Sequence, residues 1–457
     1  MALGPRLQLL LESLQKLLRR NALNHAGKLL KRTRPADVAV VMRFLNPTQH
    51  QQVFDLLPDD DARAETLSEL DENIRIPMLA GRPPEELLRI VQLMSTDDQA
   101  DLLANLPDEV RQQLLDALNP SEAEEVEELL HYGEETAGGI MSPAFFSLAE
   151  DTTAAEAISA LQSGHAELEM AFYIYVVNEP GQLLGVVSLR QLVINPADMP
   201  LSEMMATDVI SVDVNADQEE VARMAARYNL LAIPVVDDTN RIVGIVTIDD
   251  VIDVIREEAT EDILKMAGAD ETAFQDRSVF RNFRTRAPWL FATWLGGLCT
   301  SVLIGSFRET LESEVVLASF MPMILGMGGN VGTQTATIMV RGLATGRVSH
   351  GVGLRYLSRE ITIGVLLGLL YGVLLGAYAL VRYDAGTRSL MALPFTVGMS
   401  IFTSMSVAAA VGASTPLLFS RLNIDPAVAT GPIVTTSVDL LGSLVYFTVA
   451  TLCLTSF

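Results

Sequence analysis

At 457 residues, 49% hydrophobic and with a mean hydropathy of +0.30, the chain is rich in apolar residues, yet its formal charge of −25 is far from that of a typical membrane protein. Dividing the chain removes the conflict: residues 1–276 hold 20 Lys+Arg and 50 Asp+Glu, a charge of −30, and residues 277–457 hold 12 and 7, a charge of +5. The acidic half repels nucleic acid and anionic lipid and favours cations, which excludes a nucleic-acid partner. Both cysteines, Cys299 and Cys453, lie in apolar runs, so a disulfide framework is excluded as well.

The opening stretch carries Leu9, Leu10, Leu11, Leu14, Leu17 and Leu18 at helical spacing, interrupted by Glu12 and Lys16. With no small-residue cleavage site after it, the stretch reads as an amphipathic helix rather than a signal peptide. Residues 1–132 read as short helices throughout. Leucine runs stop at Asn46-Pro47, Leu57-Pro58, Leu106-Pro107 and Asn119-Pro120, a rhythm that predicts an acidic, all-α superhelix of stacked helices, with an ordinary bundle as the alternative.

Residues 137–262 contain an internal duplication. Tyr175-Val176-Val177-Asn178 turns at Pro180-Gly181 into Leu184-Gly185-Val186-Val187-Ser188. Fifty-nine residues later Pro234-Val235-Val236-Asp237 leads to Val243-Gly244-Ile245-Val246-Thr247. Each copy opens on methionine (Ile140-Met141-Ser142-Pro143 and Met204-Met205-Ala206-Thr207), then predicts a helix, two β-branched strands and a closing helix. The pattern resembles a tandem α/β pair of CBS domains, at 137–200 and 201–255. That resemblance implies an adenine nucleotide, ATP for example, held at its ribose by Thr247 and Asp250. The first copy has Ser188 and Gln191 instead and lacks the acid.

A connecting helix follows within 250–276. At 100° per residue Asp250, Asp253, Glu257 and Glu261 share a stripe of roughly 80°, with Val251, Ile252, Ile255, Ile263 and Met266 on the other side. Like charges one turn apart destabilise a helix, and only Arg256 and Lys265 are near. Either a cation completes this face or it is simply solvated.

Residues 287–457 supply five candidate spans: Ala287–Phe307, Val315–Arg341, Ile361–Val381, Met391–Leu418 and Ala427–Leu454. Arg281, Arg284, Arg286, Arg341, Arg347, Arg355, Arg359 and Arg421 fall on one side of the bilayer, against Arg308, Arg382 and Arg388 on the other. Eight against three predicts a multi-pass protein of the cell (inner or plasma) membrane with a cytoplasmic N-terminal half and an external C-terminus.

Two spans are unlike simple anchors. The second contains Met321-Pro322 and then Gly326-Met327-Gly328-Gly329-Asn330-Val331-Gly332-Thr333-Gln334. Such a segment either lines a watery cavity or packs closely through glycine; Asn330 and Gln334, one turn apart, favour the cavity. The fifth has Asp425-Pro426, Gly431-Pro432, Thr435, Thr436, Ser437 and then a lone acid, Asp439. No Lys or Arg in any span is placed to neutralise Asp439, which favours an ion path over a purely structural carboxylate.

Together these features resemble the MgtE family of magnesium channels and transporters over essentially the whole chain. The second-span run from Gly328 to Thr337, Val340 to Gly346, and the Asp-Pro, Gly-Pro, Thr and Asp of the last span carry the likeness. The resemblance implies a homodimer embedded in a lipid bilayer, whose second and fifth spans form a pore with Asp439 facing a hydrated Mg2+. Gly328, Gly329, Asn330, Gln334 and Thr435 are then expected to line it. The connecting helix becomes a plug that closes the pore when cytosolic Mg2+ is high. Regulatory Mg2+ ligands carry over as Asp250, Asp253, Glu258, Glu261 and Asp262 on the plug, Glu219 in the second CBS copy, and Asp97, Asp101 and Glu65 in the helical domain. Asn229 replaces an acid frequent in the family, and Gly431-Pro432 replaces an Asn-Pro known in some members.

Mg2+ prefers oxygen ligands and keeps much of its water shell, which a few carboxylates suit. His25, His50, His131, His165 and His350 are scattered and match no soft-metal site. No nucleophile, acid–base pair or phosphate loop predicts an enzyme. A CBS-regulated anion channel would need cationic pore groups. The remaining alternative is a secondary transporter coupling Mg2+ or Co2+ to H+ or Na+, with Asp439 as relay.

Overall fold

The computed structural model describes residues 3–164, 172–269, 279–348, 353–382 and 388–456. His165, His350 and the last part of the expected connecting segment, residues 270–276, lie outside them. The chain divides into two compact units, residues 1–256 and residues 257–457.

The first unit begins with ten short helices: α1 (Pro5–Arg19), α2 (Leu23–Leu30), α3 (Pro35–Met42), α4 (Pro47–Asp55), α5 (Asp60–Ser68), α6 (Glu72–Leu79), α7 (Pro84–Val91), α8 (Thr96–Ala104), α9 (Asp108–Leu115) and α10 (Pro120–Leu129). Proline starts these helices as much as it ends them. At Asn46-Pro47 the Asn46 side chain accepts from the Gln49 amide at 2.9 Å in a capping box, and Pro47 fills the first helical position, where no N–H is needed. Contacts run from α1 to α3, α3 to α5, α5 to α7 and α7 to α9, with α4 on α6 and α8 on α10. Most of these helices thus touch the next but one, which is the packing of a superhelix and not of a bundle.

The duplicated segment forms two matching sheets. In the first, β1 (Ser147–Ala149) pairs parallel with β2 (Tyr173–Val177), which pairs antiparallel with β3 (Leu183–Ser188). In the second, β4 (Val212–Asp213), β5 (Ala232–Val236) and β6 (Ile242–Thr247) repeat that order. A register shift falls at Val176/Val177 and again at Val235/Val236. The methionines that open each copy have a place in this symmetry. Ser142 bridges to Ile245 and Ala206 to Val186. A Cβ on Gly244 would stand 2.7 Å from Met141 Sδ, and one on Gly185 2.5 Å from Met205 Sδ. The helices of this region are α11 (Ala154–Gly164), α12 (Leu189–Ile194), α13 (Leu201–Met204), α14 (Gln218–Tyr228) and α15 (Ile248–Met266).

One continuous core joins the superhelix to the second sheet. It runs from Leu14 and Leu18 through Leu102, Leu103 and Leu129 to Val235, Val246, Val251 and Val254. The first sheet has its own core around Ile174, Val176 and Val187. This shared core is what brings α8 near the start of α15.

The second unit holds α16 (Val279–Ser306), α17 (Arg308–Ser313), α18 (Leu317–Ala344), α19 (Gly353–Arg382), α20 (Arg388–Arg421) and α21 (Pro432–Ser456), with a 3-10 turn at Pro426–Ala429. Among the described residues four helices are long and apolar enough to cross a membrane: Val279–Ser306, Gly353–Arg382, Leu393–Arg421 and Pro432–Cys453. The second expected span, α18, is not among these four. It is an unbroken 28-residue helix, but its glycines, Asn330, Thr333 and Gln334 dilute its apolar character. The last span starts later than expected, at Pro432, because the 3-10 turn takes up Pro426–Ala429.

Glycine draws α19 and α20 into backbone contact. Gly368, Gly372 and Gly376 are spaced by four, and a Cβ on them would stand 2.7, 2.7 and 3.0 Å from the carbonyl oxygens of Phe402, Gly398 and Pro394. Helices in lipid associate by such close approach, since lipid tails supply no hydrophobic drive. Gly372→Leu should destabilise the membrane unit by roughly 1–3 kcal/mol, the cost of overpacking. Thermal unfolding in detergent reads this; an unchanged midpoint would mean that the two helices are not so tightly apposed.

Candidate functional site

Acidic residues gather at two places, one in each unit. In the first, Asp97 and Asp101 come from α8, which places positions four apart on one face. Asp249 and Asp250 come from the first turn of α15, held there by the shared core. Burial, followed by the charge of Asp98, raises Asp97 to about 6, and Asp249 adds to the effect. Burial and then Asp97 lift Asp250 to about 8, against hydrogen bonding from Thr247. Burial also pushes Asp101 up; Arg75 opposes this, while Asp98, Asp97 and Glu134 add to it. Asp97 Oδ1 is buried without a hydrogen-bond partner. These carboxyls lie in one another's field with too few fixed cations.

Asp250 has a structural role besides. Its Oδ2 accepts from the Thr247 amide at 3.3 Å and from the Thr247 hydroxyl, capping α15. In the first copy Gln191 does the same for Ser188, accepting from its amide at 2.8 Å. Thr247 itself is buried and its hydroxyl also reaches Asp249.

The remaining expected regulatory acids differ in setting. Glu65 on α5 and Asp253 on α15 are exposed, and Asp253 is paired with Arg256 at 3.0 Å. Glu219 is half-buried in the first turn of α14. Asn229 ends that helix in the left-handed conformation at φ 54°, which asparagine tolerates well. The apolar side of α15 is only partly used: Val251 is buried, but Ile252 and Ile255 are exposed.

The second cluster lies where the C-terminal part of α15 meets the start of the last span. Lys265 Nζ binds Glu261 at 2.6 Å and Asp425 at 2.7 Å. Burial alone would lower the Lys265 ammonium; its bonds to Asp425 and Glu261 outweigh that and hold it above its ordinary range. Burial and then Asp425 raise Asp262, while Lys265 and Arg341 pull it down. A Cβ on Gly431 would stand 3.0 Å from the Met266 carbonyl oxygen, and one on Gly268 3.5 Å from the Pro432 ring. Glu258 is half-buried and Ile263 exposed on the same stretch of helix. Both cations of this helix are therefore engaged, Arg256 with Asp253 and Lys265 with Glu261 and Asp425.

In the membrane unit the glycine-rich helix presents two faces. Gly328 and Gly332 form a notch filled by Val438, whose methyls lie 3.5 and 2.8 Å from where their Cβ atoms would be. Gly328, an expected pore residue, is thus buried in helix packing. Asn330 and Gln334 are exposed on the other face, and nothing lies within 4 Å of a Cβ on Gly329. Asp439 follows Val438 directly and is half-buried. It makes no hydrogen bond or ion pair with any other described residue. Thr435, one turn earlier, donates to the Gly431 carbonyl at 3.1 Å.

Comparison with known proteins decides the family. The divalent cation transporter model MgtE matches residues 321–449, the MgtE intracellular N domain 33–135, and the CBS domain 137–197 and 201–257. A magnesium transporter MgtE of Thermus thermophilus is 37% identical over 97% of this chain and 98% of its own length; that of Bacillus subtilis is 32% identical over 95% of each. The chain belongs to the MgtE family. A crystal structure of the cytosolic domain of the Mg2+ channel MgtE in complex with ATP is 37% identical. It covers 53% of this chain and 99% of that one, at a TM-score of 0.50. The MgtE relatives are named as transporters, not enzymes, and their transported ion is magnesium.

Asp249 was not singled out from sequence, and Asp425 and Lys265 were named there only as an Asp-Pro start and a nearby cation, not as partners. The Asp-Pro pair marks a helix start, and the Asp425 side chain accepts from the Ala427 amide at 2.8 Å. Among the described residues no three His, Cys, Asp or Glu side chains stand close enough to hold a metal ion directly.

The shifts set a pH dependence. Asp97, Asp101 and Asp250 bind a proton more tightly folded than unfolded, so their contribution to the metal-free fold is greatest at low pH and is lost as pH rises through the values of about 6 and about 8. In chelator, the unfolding midpoint should therefore fall between about pH 5 and about pH 8, and millimolar Mg2+ should offset the fall by replacing the proton. A midpoint that rises with pH in chelator would contradict this.

Proposed function

We propose that the chain is a Mg2+-selective channel that imports divalent cations down their gradient and closes when cytosolic Mg2+ binds its acidic half. One observation carries the pore: Asp439 sits on a spanning helix with no partner among the described residues. A carboxylate in a bilayer costs several kcal/mol unless water or a cation meets it. Asn330 and Gln334, exposed on the open face of α18, and Thr435 one turn before Asp439 carry oxygens that suit a hydrated ion. In a homodimer two Asp439 carboxylates would face one Mg2+. The arginine distribution supports a cell-membrane protein with its N-terminal half in the cytoplasm and its C-terminus outside.

Gating follows from crowded charge. Two carboxylates at ~4 Å repel by roughly 4 kcal/mol at an effective dielectric near 20, before salt screening weakens exposed pairs. Mg2+ reverses the sign, drawing α8 and the first turn of α15 together through Asp97, Asp101 and Asp250. Because α15 is one helix, that state continues to Glu258, Glu261 and Asp262 beside the last span. Mg2+ closes the channel only if it binds the closed form more tightly. Glu65, Asp253 and Glu219 would complete the regulatory set. The capped pair Thr247 and Asp250 is the proposed ribose contact for ATP, supported by the ATP complex of the related domain.

Asp439→Asn keeps shape and removes charge, so Mg2+ flux in proteoliposomes should be lost or greatly reduced; full flux from the folded variant would remove Asp439 from the pore. Independence of that flux from H+ and Na+ gradients separates the channel from a coupled transporter. Replacing Asp253, Glu258 and Asp262 together with alanine should leave flux high at high cytosolic Mg2+. Recordings with wild-type inhibition in that triple variant would place the gate elsewhere.

A further inference from the structure

The membrane unit contains a row of hydroxyls that neither the pore nor the gate uses. Thr396, Ser400 and Ser404 repeat every four residues on α20 and are 0, 0 and 1% exposed; Ser443 on α21 is 1% exposed. All four oxygens are buried without a hydrogen-bond partner. Hydroxyls in apolar helices ordinarily donate to the carbonyl one turn back, and nearby ones do so: Thr403 to Met399 at 2.8 Å, Ser406 to Phe402 at 2.8 Å and Thr448 to Leu444 at 2.7 Å. The row therefore departs from its own neighbours.

The row also leads somewhere. Ser404 Oγ lies 3.3 Å from where a Cβ on Gly328 would be and 3.1 Å from one on Gly442. It thus reaches α21 in the turn after Asp439, where Gly442 and Ser443 follow the carboxylate by three and four residues and share its face. Residues four apart are separated by about 6 Å along a helix axis. That is too far for a direct hydrogen bond and right for one water bonded to both, at about 2.8 Å each.

We infer that Thr396, Ser400, Ser404 and Ser443 form a binding site for a short file of water molecules inside each protomer, ending against the turn that carries Asp439. Neutral hydroxyls with no carboxylate among them suit water and not a divalent ion, which needs charged oxygen. The file hydrates Asp439 from within the protein, which leaves the carboxylate free to hold the water shell of an ion on its other side. That last role rests on the proposed pore; the site itself does not.

Two measurements on the full-length protein in detergent test the site. Thr396→Val, Ser400→Ala and Ser404→Ala each remove one hydroxyl with little change of shape. If the hydroxyls hold water, each variant lowers the unfolding midpoint by about 2–4 °C, and Ser400→Ala with Ser404→Ala loses less than the sum because the two share a water. If the hydroxyls are dry, removing an unsatisfied polar group leaves the midpoint unchanged or raises it, and the inference fails. Where a variant does not fold, X-ray hydroxyl-radical labelling of the wild type decides. Met405, 1% exposed beside Ser404, is oxidised if water is bound there and is spared if the site is dry. For the hydration role, Ser443→Ala should lower Mg2+ flux several-fold. Unchanged flux in Ser443→Ala together with lost flux in Asp439→Asn would overturn the role at the pore, whereas unchanged flux in both would count against the pore reading instead.

Discussion

A carboxylate removed from bulk water must be neutralised by a proton, a fixed cation or a mobile one, and the acids of this protein differ in which partner the fold supplies. Asp253 and Glu261 have fixed partners in Arg256 and Lys265. Asp97 and Asp250 have none of comparable strength, and burial raises both, Asp97 to about 6 and Asp250 to about 8. Asp439 has no partner among the described residues and lies in a span. The fold works to keep these acids where they are: a single core runs from the superhelix into the second sheet, setting α8 against the first turn of α15 whatever their charges prefer. Burial of Val251 and Val254 offsets repulsion between the acids beside them.

Glycine is used in two opposite ways in the membrane unit. On α19 it removes side chains so that backbone can meet backbone, and the α19–α20 pair gains rigidity. On α18 one glycine face does the same against Val438, while the other remains open beside Asn330 and Gln334. A helix with one locked face and one open polar face is fixed in rotation, so its amides are held toward whatever fills the space in front of them.

Much of the architecture was legible in the sequence because its signals are local. The duplication was visible from two strand pairs 59 residues apart, and the Pro-marked rhythm of the first 132 residues distinguished stacked helices once the next-but-one contacts were seen. The spans followed from apolar length, although α18 escapes a purely compositional criterion for the same reason that makes it interesting. Of the site, the sequence supplied residue types but not pairings. Asp97, Asp101 and Asp250 are some 150 residues apart at the extreme, and nothing local reports that one core joins them. The bond between Lys265 and Asp425 spans 160 positions and was equally hidden. Gly328 shows the reverse limit: from sequence alone, its burial against Val438 in helix packing was not visible.

The two caps, Ser188 with Gln191 and Thr247 with Asp250, have a consequence for how the duplicated halves could diverge. Either an amide or a carboxylate at the third position closes the same turn, since each needs only one oxygen to accept from the first residue's N–H. Exchange between the two therefore keeps the cap while it adds or deletes an ionisable group, in the second copy one that lies in the field of Asp97 and Asp249. The asymmetry between the halves is thus a difference in chemistry at a turn whose hydrogen-bonded geometry is the same in both.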